Sequence, residues 1–237
     1  MNLDNVCFDT NTIISYLFFI EPNYTIMQEY INQSEDYFYL TKHILNECDK
    51  IVEIKVIIIK QILADAIIFL DEYNNMIFNK NKFIKMFIQQ HDFYEYANKS
   101  FKKNDVKTVL EEIWKESCDE NMDGFNLLKR LRNFDISFKN IINKYKDELY
   151  SNCIIIANHI NKHEKINHLL EKNNSHKEDN EIILDIYEYY LKHNITFIFI
   201  TFDNNFYDSL VKCNFKFIKN IYNLQDIRRL INNRTQD

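Results

Sequence analysis

The stretch NVCFDTNTIISYLF, residues 5–18, runs through apolar side chains to a carboxylate, Asp9, and then through three small polar residues. Its first half is typical of a buried strand, and a charge at the end of such a strand is unfavourable unless a partner neutralises it. From Thr10 onward the composition can start a helix. The stretch therefore predicts a strand, a turn at Asp9 and a helix, and it raises the question of what neutralises the carboxylate.

Three further segments have the aromatic and β-branched composition of strands. They are YFYLT (37–41), TFIFIT (196–201) and FKFIK (215–219). A long helical pattern follows Thr41, which is a good N-cap residue, and an amphipathic helix over residues 178–193 precedes the third strand. Alternating strands and helices predict an α/β fold: an open parallel sheet with helices on both of its faces.

The middle of the chain, from about residue 50 to residue 170, contains no convincing strand and has the pattern of several helices, the last over 138–172. We therefore expect a single domain over 1–237. Its α/β core comprises about 1–75 and 170–237, and a large all-helical insertion comprises about 76–169.

Composition excludes several classes of protein. With one Gly and one Pro, the chain has no glycine-rich phosphate loop and no dinucleotide-binding fingerprint. The five cysteines are scattered without a C-x-x-C pair, which suits a reducing compartment. No secretory signal is evident, and polar residues interrupt the most apolar helix, over 56–70. We expect a soluble cytoplasmic protein with no membrane partner.

The net charge of −6 is unevenly distributed. Residues 76–146 hold 14 basic and 10 acidic residues, a net +4, and the remainder holds 15 basic and 25 acidic residues, a net −10. A mildly basic middle could bind a polyanion, with LLKRLR (127–132) and KSFKKNDVK (99–107) as candidate phosphate contacts. The alternative is that these charges form ordinary solvated helix faces.

Four acids from distant parts of the chain are expected at one edge of the sheet, beyond the carboxyl ends of its strands. They are Asp9, Glu47, Asp179 and Asp203. Carboxylates brought together repel one another unless a cation lies between them, and oxygen ligands suit Mg²⁺ or Mn²⁺. The alternative for Asp179 and Asp203 is that each merely caps a helix or begins a turn. The choice of Asp179 also has alternatives, because Glu178, Glu181 and Asp185 lie on the same predicted helix.

The motifs around these acids resemble those of the PIN-domain ribonucleases. The resemblance lies in FDTNTIIS (8–15), LTKHILNECDKI (40–51), HKEDNEIILDIY (176–187) and FITFDNNF (199–206), and it covers roughly residues 4–50 and 176–220. It implies that Asp9, Glu47, Asp179 and Asp203 are the catalytic, metal-binding quartet, and that Asn11, Thr201 and Asn205 are supporting polar residues. Many relatives have a second acid at the position of Asn205, so Asp203 serves alone in that motif.

The resemblance also implies an activity. A metal-dependent endoribonuclease of this kind hydrolyses RNA by in-line attack of a water activated by Mg²⁺ or Mn²⁺, leaving a 5′-phosphate and a 3′-hydroxyl. Toxin and RNA-processing roles stay open. A homodimer is a further candidate, since helical insertions commonly form dimer contacts, and an inhibitory protein is another candidate partner.

Three other interpretations stay open. A PIN-like domain without activity could bind RNA or protein. A haloacid-dehalogenase-like phosphatase is disfavoured because Asn11 replaces the second acid of its D-x-D motif. Finally, His159, His163 and His168 suggest a zinc site, because the first two lie four residues apart in a predicted helix. Within the nuclease interpretation, His43 and His176 are candidates for a phosphate contact.

Overall fold

The computed structural model describes residues 3–90, 103–117 and 121–234. The strands are β1 (Asn5–Phe8), β2 (Tyr37–Thr41), β3 (Ile77–Phe78), β4 (Met122–Asp123), β5 (Cys153–Ile156), β6 (Phe197–Ile200) and β7 (Ile218–Tyr222). The helices are α1 (Thr10–Leu17), α2 (Tyr24–Gln33), α3 (Lys42–Glu72), α4 (Lys80–Gln90), α5 (Lys103–Ser117), α6 (Gly124–Asn152), α7 (Glu164–Lys172), α8 (Lys177–His193), α9 (Asn204–Cys213) and α10 (Leu224–Arg234).

Five strands form one parallel sheet in the order β5-β2-β1-β6-β7. From β1 the chain adds β2 and then β5 on one side, and it returns to add β6 and β7 on the other side. The direction of growth therefore changes between β1 and β6, where Phe8 pairs with Ile200. In open α/β sheets the crevice at such a switch point, beyond the carboxyl ends of the strands, is the usual place for a ligand.

The apolar strands form the core of the sheet because both of their faces are covered. Val6, Cys7, Phe8, Phe197, Phe199 and Ile200 are completely buried, and the rings of Phe8 and Phe38 lie 5.2 Å apart. At the end of β2, the Thr41 hydroxyl accepts a hydrogen bond from the Ile44 amide at 3.3 Å and so caps α3. Burial and capping thus fix where the strands end.

Most elements predicted from the sequence are confirmed. The described residues form an α/β fold with a parallel sheet flanked by helices, and the predicted strands over 5–9, 37–41 and 196–201 correspond to β1, β2 and β6. The helices predicted after Asp9, after Thr41 and over 178–193 are also present. The fourth strand lies about three residues later than predicted, because α9 ends at an Asn214 of left-handed conformation and a turn precedes Ile218.

The prediction that no strand lies between residues 50 and 170 is wrong. β5 interrupts the helix predicted over 138–172 and pairs with β2, and the short β3 and β4 pair with each other in antiparallel fashion. Isoleucine occurs readily in both helices and strands, so the run CIII has no periodicity that distinguishes the two. β5 is also an edge strand, with Ile154 and Ile155 about 40% exposed, so it lacks the continuous burial of the inner strands.

The chain divides into two units, Met1–Ile51 with Lys146–Asp237, and Val52–Tyr145. The first unit contains the whole parallel sheet. These bounds differ from the predicted core and insertion, and the interpretation of the middle of the chain as an insertion stays a prediction.

The second unit has an aromatic core of its own. Phe69 packs against Phe78, Phe83 and Phe87, and Trp114 lies against Phe83 and is 6% exposed. Trp114 is therefore a core residue.

The single glycine, Gly124, begins α6, where a Cβ atom would lie only 2.5 Å from the carbonyl oxygen of Tyr73. The close approach of two backbone segments therefore requires glycine at this position. The segments predicted as helical over 91–101, and Cys118, lie outside the described residues.

Candidate active site at the carboxyl edge of the sheet

Asp9 lies at the switch point between β1 and β6. Its Oδ1 accepts a hydrogen bond from the Thr10 amide at 2.7 Å, and its Oδ2 accepts one from the Thr201 hydroxyl at 2.9 Å. The residue is only 3% exposed. Both oxygens thus have a neutral donor, and neither hydrogen bond removes the negative charge.

Burial raises the pKa of Asp9 from 3.8 to about 7, and the charges of Asp179 and Glu47 act in the same direction. The hydrogen bonds from Thr201 and Thr10 oppose this rise only in part. The Asp9 carboxylate therefore lacks a compensating cation among its contacts in the described residues, and other carboxylates are near it.

Glu47 lies in the second turn of α3 and is exposed. Its Oε2 accepts a hydrogen bond from the Thr10 hydroxyl at 2.6 Å. Because Thr10 also donates its amide to Asp9, this one residue connects both acids. Thr10 thus restrains the side chains of both acids.

Asp203 follows β6 and is the N-cap of α9. Its Oδ1 accepts hydrogen bonds from the amides of Asn205 at 2.7 Å and Phe206 at 3.0 Å. Its own amide donates to the Thr201 hydroxyl at 3.1 Å, so Thr201 connects Asp203 with Asp9. The alternative interpretation, that Asp203 caps a helix, is therefore correct for its Oδ1 atom. Oδ2 accepts no hydrogen bond within the described chain, which leaves it free for a ligand.

Asp179 lies in the first turn of α8 and does not cap that helix, whose N-cap is His176. Burial raises the pKa of Asp179 to about 6; the charges of Asp203, Glu47 and Glu178 add to the rise and His176 opposes it. These electrostatic interactions connect Asp179 with the three other predicted acids, since Asp9 also feels its charge. All four belong to the unit that contains the parallel sheet.

The supporting residues predicted from the sequence differ in their contacts. Thr201 is completely buried and hydrogen-bonded to Asp9. Asn205 is exposed and contributes its backbone amide to Asp203, and Asn11 is exposed in the first turn of α1. Within the described ranges, no hydrogen bond joins the side chain of Asn11 or Asn205 to an acid of the quartet. The buried Thr12, which the sequence did not indicate, binds the Ile200 carbonyl oxygen through its hydroxyl at 3.2 Å.

The chemistry of these side chains fits a hard divalent cation. The four carboxylates supply oxygen ligands, and their mutual repulsion is relieved if positive charge enters between them. Across residues 3–90, 103–117 and 121–234, no three His, Cys, Asp or Glu side chains are already arranged around a common point as metal ligands. The carboxylates therefore have to turn inward to bind an ion.

The prediction that His159 and His163 lie on one helix face is wrong, because β5 and the loop after it replace that part of the predicted helix. His159 lies in the loop, where its Nδ1 lies 2.8 Å from Asp185, and His163 precedes α7 with φ 42° and lies 3.1 Å from Glu188. His168 is exposed on α7. His159 and His163 thus contact different carboxylates, and no helix face is shared by the three histidines.

The exposed basic residues Lys129, Arg130 and Arg132 lie on α6 in the second unit, whereas residues 99–102 of the other basic segment lie outside the described residues. None of the helices in the described ranges is long and apolar enough to cross a membrane.

Comparison with family models, with curated proteins and with solved structures gives no match for this chain. The fold and the positions of the acids define the class of this protein: an α/β protein with a candidate acidic site at the switch point of its parallel sheet.

Proposed function

We propose that this protein is a PIN-like, metal-dependent endoribonuclease with a large insertion over about residues 76–169. The observation that carries the proposal is the Asp9–Thr201–Asp203 connection at the β1–β6 switch point, together with the raised pKa values of Asp9 and Asp179. Perturbed carboxylates in a cleft position are typical of functional sites. Four carboxylates from distant segments of the chain have a chemical reason to be together if they share a cation.

In this proposal, Asp9, Glu47, Asp179 and Asp203 hold Mg²⁺ or Mn²⁺. When bound, such an ion supplies positive charge for a phosphodiester and lowers the pKa of a coordinated water. Thr201 and Thr10 orient Asp9, Thr10 restrains Glu47, and the backbone amides of α9 fix one oxygen of Asp203. The chain thus provides anchored carboxylates and needs no side-chain nucleophile.

RNA as the substrate follows from the motif resemblance, and the basic residues of the middle of the chain are the proposed phosphate contacts. A homodimer and an inhibitory protein are the further partners that a nuclease of this kind can have. The same proposal assigns the protein to the cytoplasm, where its scattered cysteines stay reduced.

The test is cleavage of end-labelled single-stranded RNA by the purified full chain with Mn²⁺. We expect cleavage that EDTA abolishes, that Asp9→Asn reduces by at least a hundredfold, and that leaves 5′-phosphate ends. Asp208→Asn is the matched control, because Asp208 is an exposed acid on the same helix that Asp203 caps, and we expect it to cleave like the wild type.

Other outcomes identify the alternatives. RNA binding without cleavage, at wild-type folding, indicates an inactive PIN-like binding module. Release of phosphate from a small phosphomonoester indicates a phosphatase. Cleavage that persists in both EDTA and Asp9→Asn overturns the metal mechanism.

A further inference from the structure

A second cluster of titratable side chains lies at the ends of β2 and β5, where no residue of the acidic quartet takes part. It consists of His43 in the first turn of α3, His159 in the loop after β5, and Glu181 and Asp185 on α8. Asp185 is completely buried at its side chain, whereas the side chains of His43 and His159 are 31% and 14% exposed. The cluster therefore has a buried base and an accessible rim.

Asp185 orients both imidazole rings. Its Oδ2 lies 2.7 Å from Nδ1 of His43, and its Oδ1 lies 2.8 Å from Nδ1 of His159 and 2.7 Å from the His159 amide. A carboxylate can only accept, so each ring donates its Nδ1–H to Asp185. In the neutral rings both Nε2 atoms then carry free lone pairs directed away from Asp185.

The two Nε2 atoms converge on one oxygen. Oε2 of Glu181 lies 3.5 Å from Nε2 of His159 and 3.9 Å from Nε2 of His43. Within the described chain, the ion-pair partners of Glu181 and Asp185 are these two histidines, with no lysine or arginine among them. With neutral rings, the cluster carries two negative charges and two nitrogen lone pairs, which is a site for a cation.

We propose that His43, His159 and Glu181 bind a divalent transition-metal ion of the Zn²⁺ type, with Asp185 as the carboxylate that orients both histidines. Imidazole nitrogen with one carboxylate suits Zn²⁺, and a carboxylate on the far ring nitrogen is the usual support of a metal-binding histidine. This site is independent of the proposed nuclease activity, whose acids select harder ions.

The distances between the three proposed ligands indicate which side chains have to move when an ion binds. Two tetrahedral Zn²⁺ ligands about 2.1 Å from the ion lie roughly 3.4 Å apart, which the His159–Glu181 pair already matches. The His43–Glu181 separation of 3.9 Å is longer, so these two side chains have to approach each other for both to bind one ion. Glu181 is about one third exposed, whereas the ring of His43 is held by Asp185, so Glu181 is the side chain that we expect to move.

A cavity gives an ion access to this cluster. The cavity has a volume of about 470 Å³, and His159, Glu181 and Asn180 are among its lining residues. Asn180 is 1% exposed, and its Oδ1 has no hydrogen-bond donor among the described residues, although its Nδ2 donates to Asn167 at 3.3 Å. A buried acceptor without a donor is uncommon, and a water in this cavity can satisfy it.

The test is titration of the metal-free full chain with Zn²⁺ and with Co²⁺, in excess Mg²⁺ to saturate the acidic quartet. We expect one Zn²⁺ per chain and, with Co²⁺, the intense visible absorption of a four- or five-coordinate site. Asp185→Asn should weaken binding roughly 10- to 100-fold, and Glu181→Gln and His159→Ala at least as much.

Matched variants distinguish a metal ion at this cluster from one bound at the quartet or by a surface histidine. Glu181→Gln keeps both histidine–Asp185 hydrogen bonds, so it should fold like the wild type by circular dichroism. His168→Ala, an exposed histidine lining the same cavity, and Asp203→Asn, in the quartet, should bind Zn²⁺ normally. The proposal is overturned if the wild type binds no Zn²⁺ under these conditions, or if Glu181→Gln and His159→Ala leave binding unchanged.

Discussion

The hydroxyl of Thr201 donates a hydrogen bond of 2.9 Å to the buried carboxylate of Asp9, which precedes it by 192 residues. The same hydroxyl oxygen accepts the amide of Asp203 at 3.1 Å. One threonine thus couples the end of β1 with the loop after β6. Because its hydrogen bond favours the ionised form, Thr201 lowers the pKa of Asp9 against the opposing effect of burial.

Replacement of Thr201 by Val should raise the pKa of Asp9 further. A hydrogen bond to a charged group contributes about 1.5 kcal/mol or more, which corresponds to about one pH unit. Mn²⁺ requires the ionised carboxylate, so the pH midpoint of Mn²⁺ binding, measured by calorimetry, should rise by about that amount. Thr201→Ser should restore the wild-type midpoint, and Thr12→Val, which removes a nearby buried hydroxyl bound to Ile200, should not shift it. An unchanged midpoint in Thr201→Val contradicts the prediction.

Asp9 should make the metal-free protein less stable as the pH rises. Its pKa is 3.8 in the unfolded chain and about 7 in the folded one, so the folded state holds the extra proton between these values. The free energy of unfolding therefore falls from about pH 4 to about pH 7 and is level above pH 7.

Asp9→Asn removes this dependence. In EDTA at pH 8, the variant should unfold at a higher temperature than the wild type. Its free energy of unfolding should be larger by at most about 4 kcal/mol at pH 8, and the two proteins should differ little at pH 4. Thermal unfolding followed by circular dichroism at the two pH values measures the difference. Asp208→Asn, which changes an exposed acid, is the control. A wild type that is more stable than Asp9→Asn at pH 8 without metal contradicts the expectation.

The sequence predicted where the strands that precede Asp9 and Asp203 end, because these strands have a recognisable local pattern. The apolar runs that end at Asp9 and Thr201 are recognisable because central parallel strands are buried on both faces. Their relation in space then follows from the rule that parallel strands have their carboxyl ends at one edge. Asp203 was predictable in the same way, since it follows Thr201 by two residues.

The sequence did not predict features that have no local pattern of their own. β5 is a short edge strand with two half-exposed isoleucines, and pairing with β2, rather than its own pattern, makes it a strand. The contacts of Asp185 with His43 and His159 span 142 and 26 residues and carry no motif. His159 was instead assigned to a helix with His163, because the helical pattern on either side of β5 appeared continuous.

Asp203 has two roles that two substitutions can separate. Asn is as good an N-cap as Asp, so Asp203→Asn should retain the stability of α9, whereas Asp203→Ala should lose about 1 kcal/mol. Both variants lack the carboxylate charge and should lose Mn²⁺ binding alike. Urea unfolding and Mn²⁺ titration measure the two effects. If Asp203→Asn binds Mn²⁺ like the wild type, Asp203 is only a helix cap.

Thr10 should act on metal binding through Glu47. Glu47 is exposed, and within the described residues its one hydrogen-bond donor is the Thr10 hydroxyl at 2.6 Å. In Thr10→Val the carboxylate remains but is free to rotate, and ordering a long side chain on binding costs about 0.5–1.5 kcal/mol. Mn²⁺ affinity should therefore fall roughly 2- to 10-fold, less than in Glu47→Gln, and Thr10→Ser should bind like the wild type. Equal affinities for Thr10→Val and Glu47→Gln would show that Thr10 does more than restrain this side chain, and an unchanged affinity in both would remove Glu47 from the site.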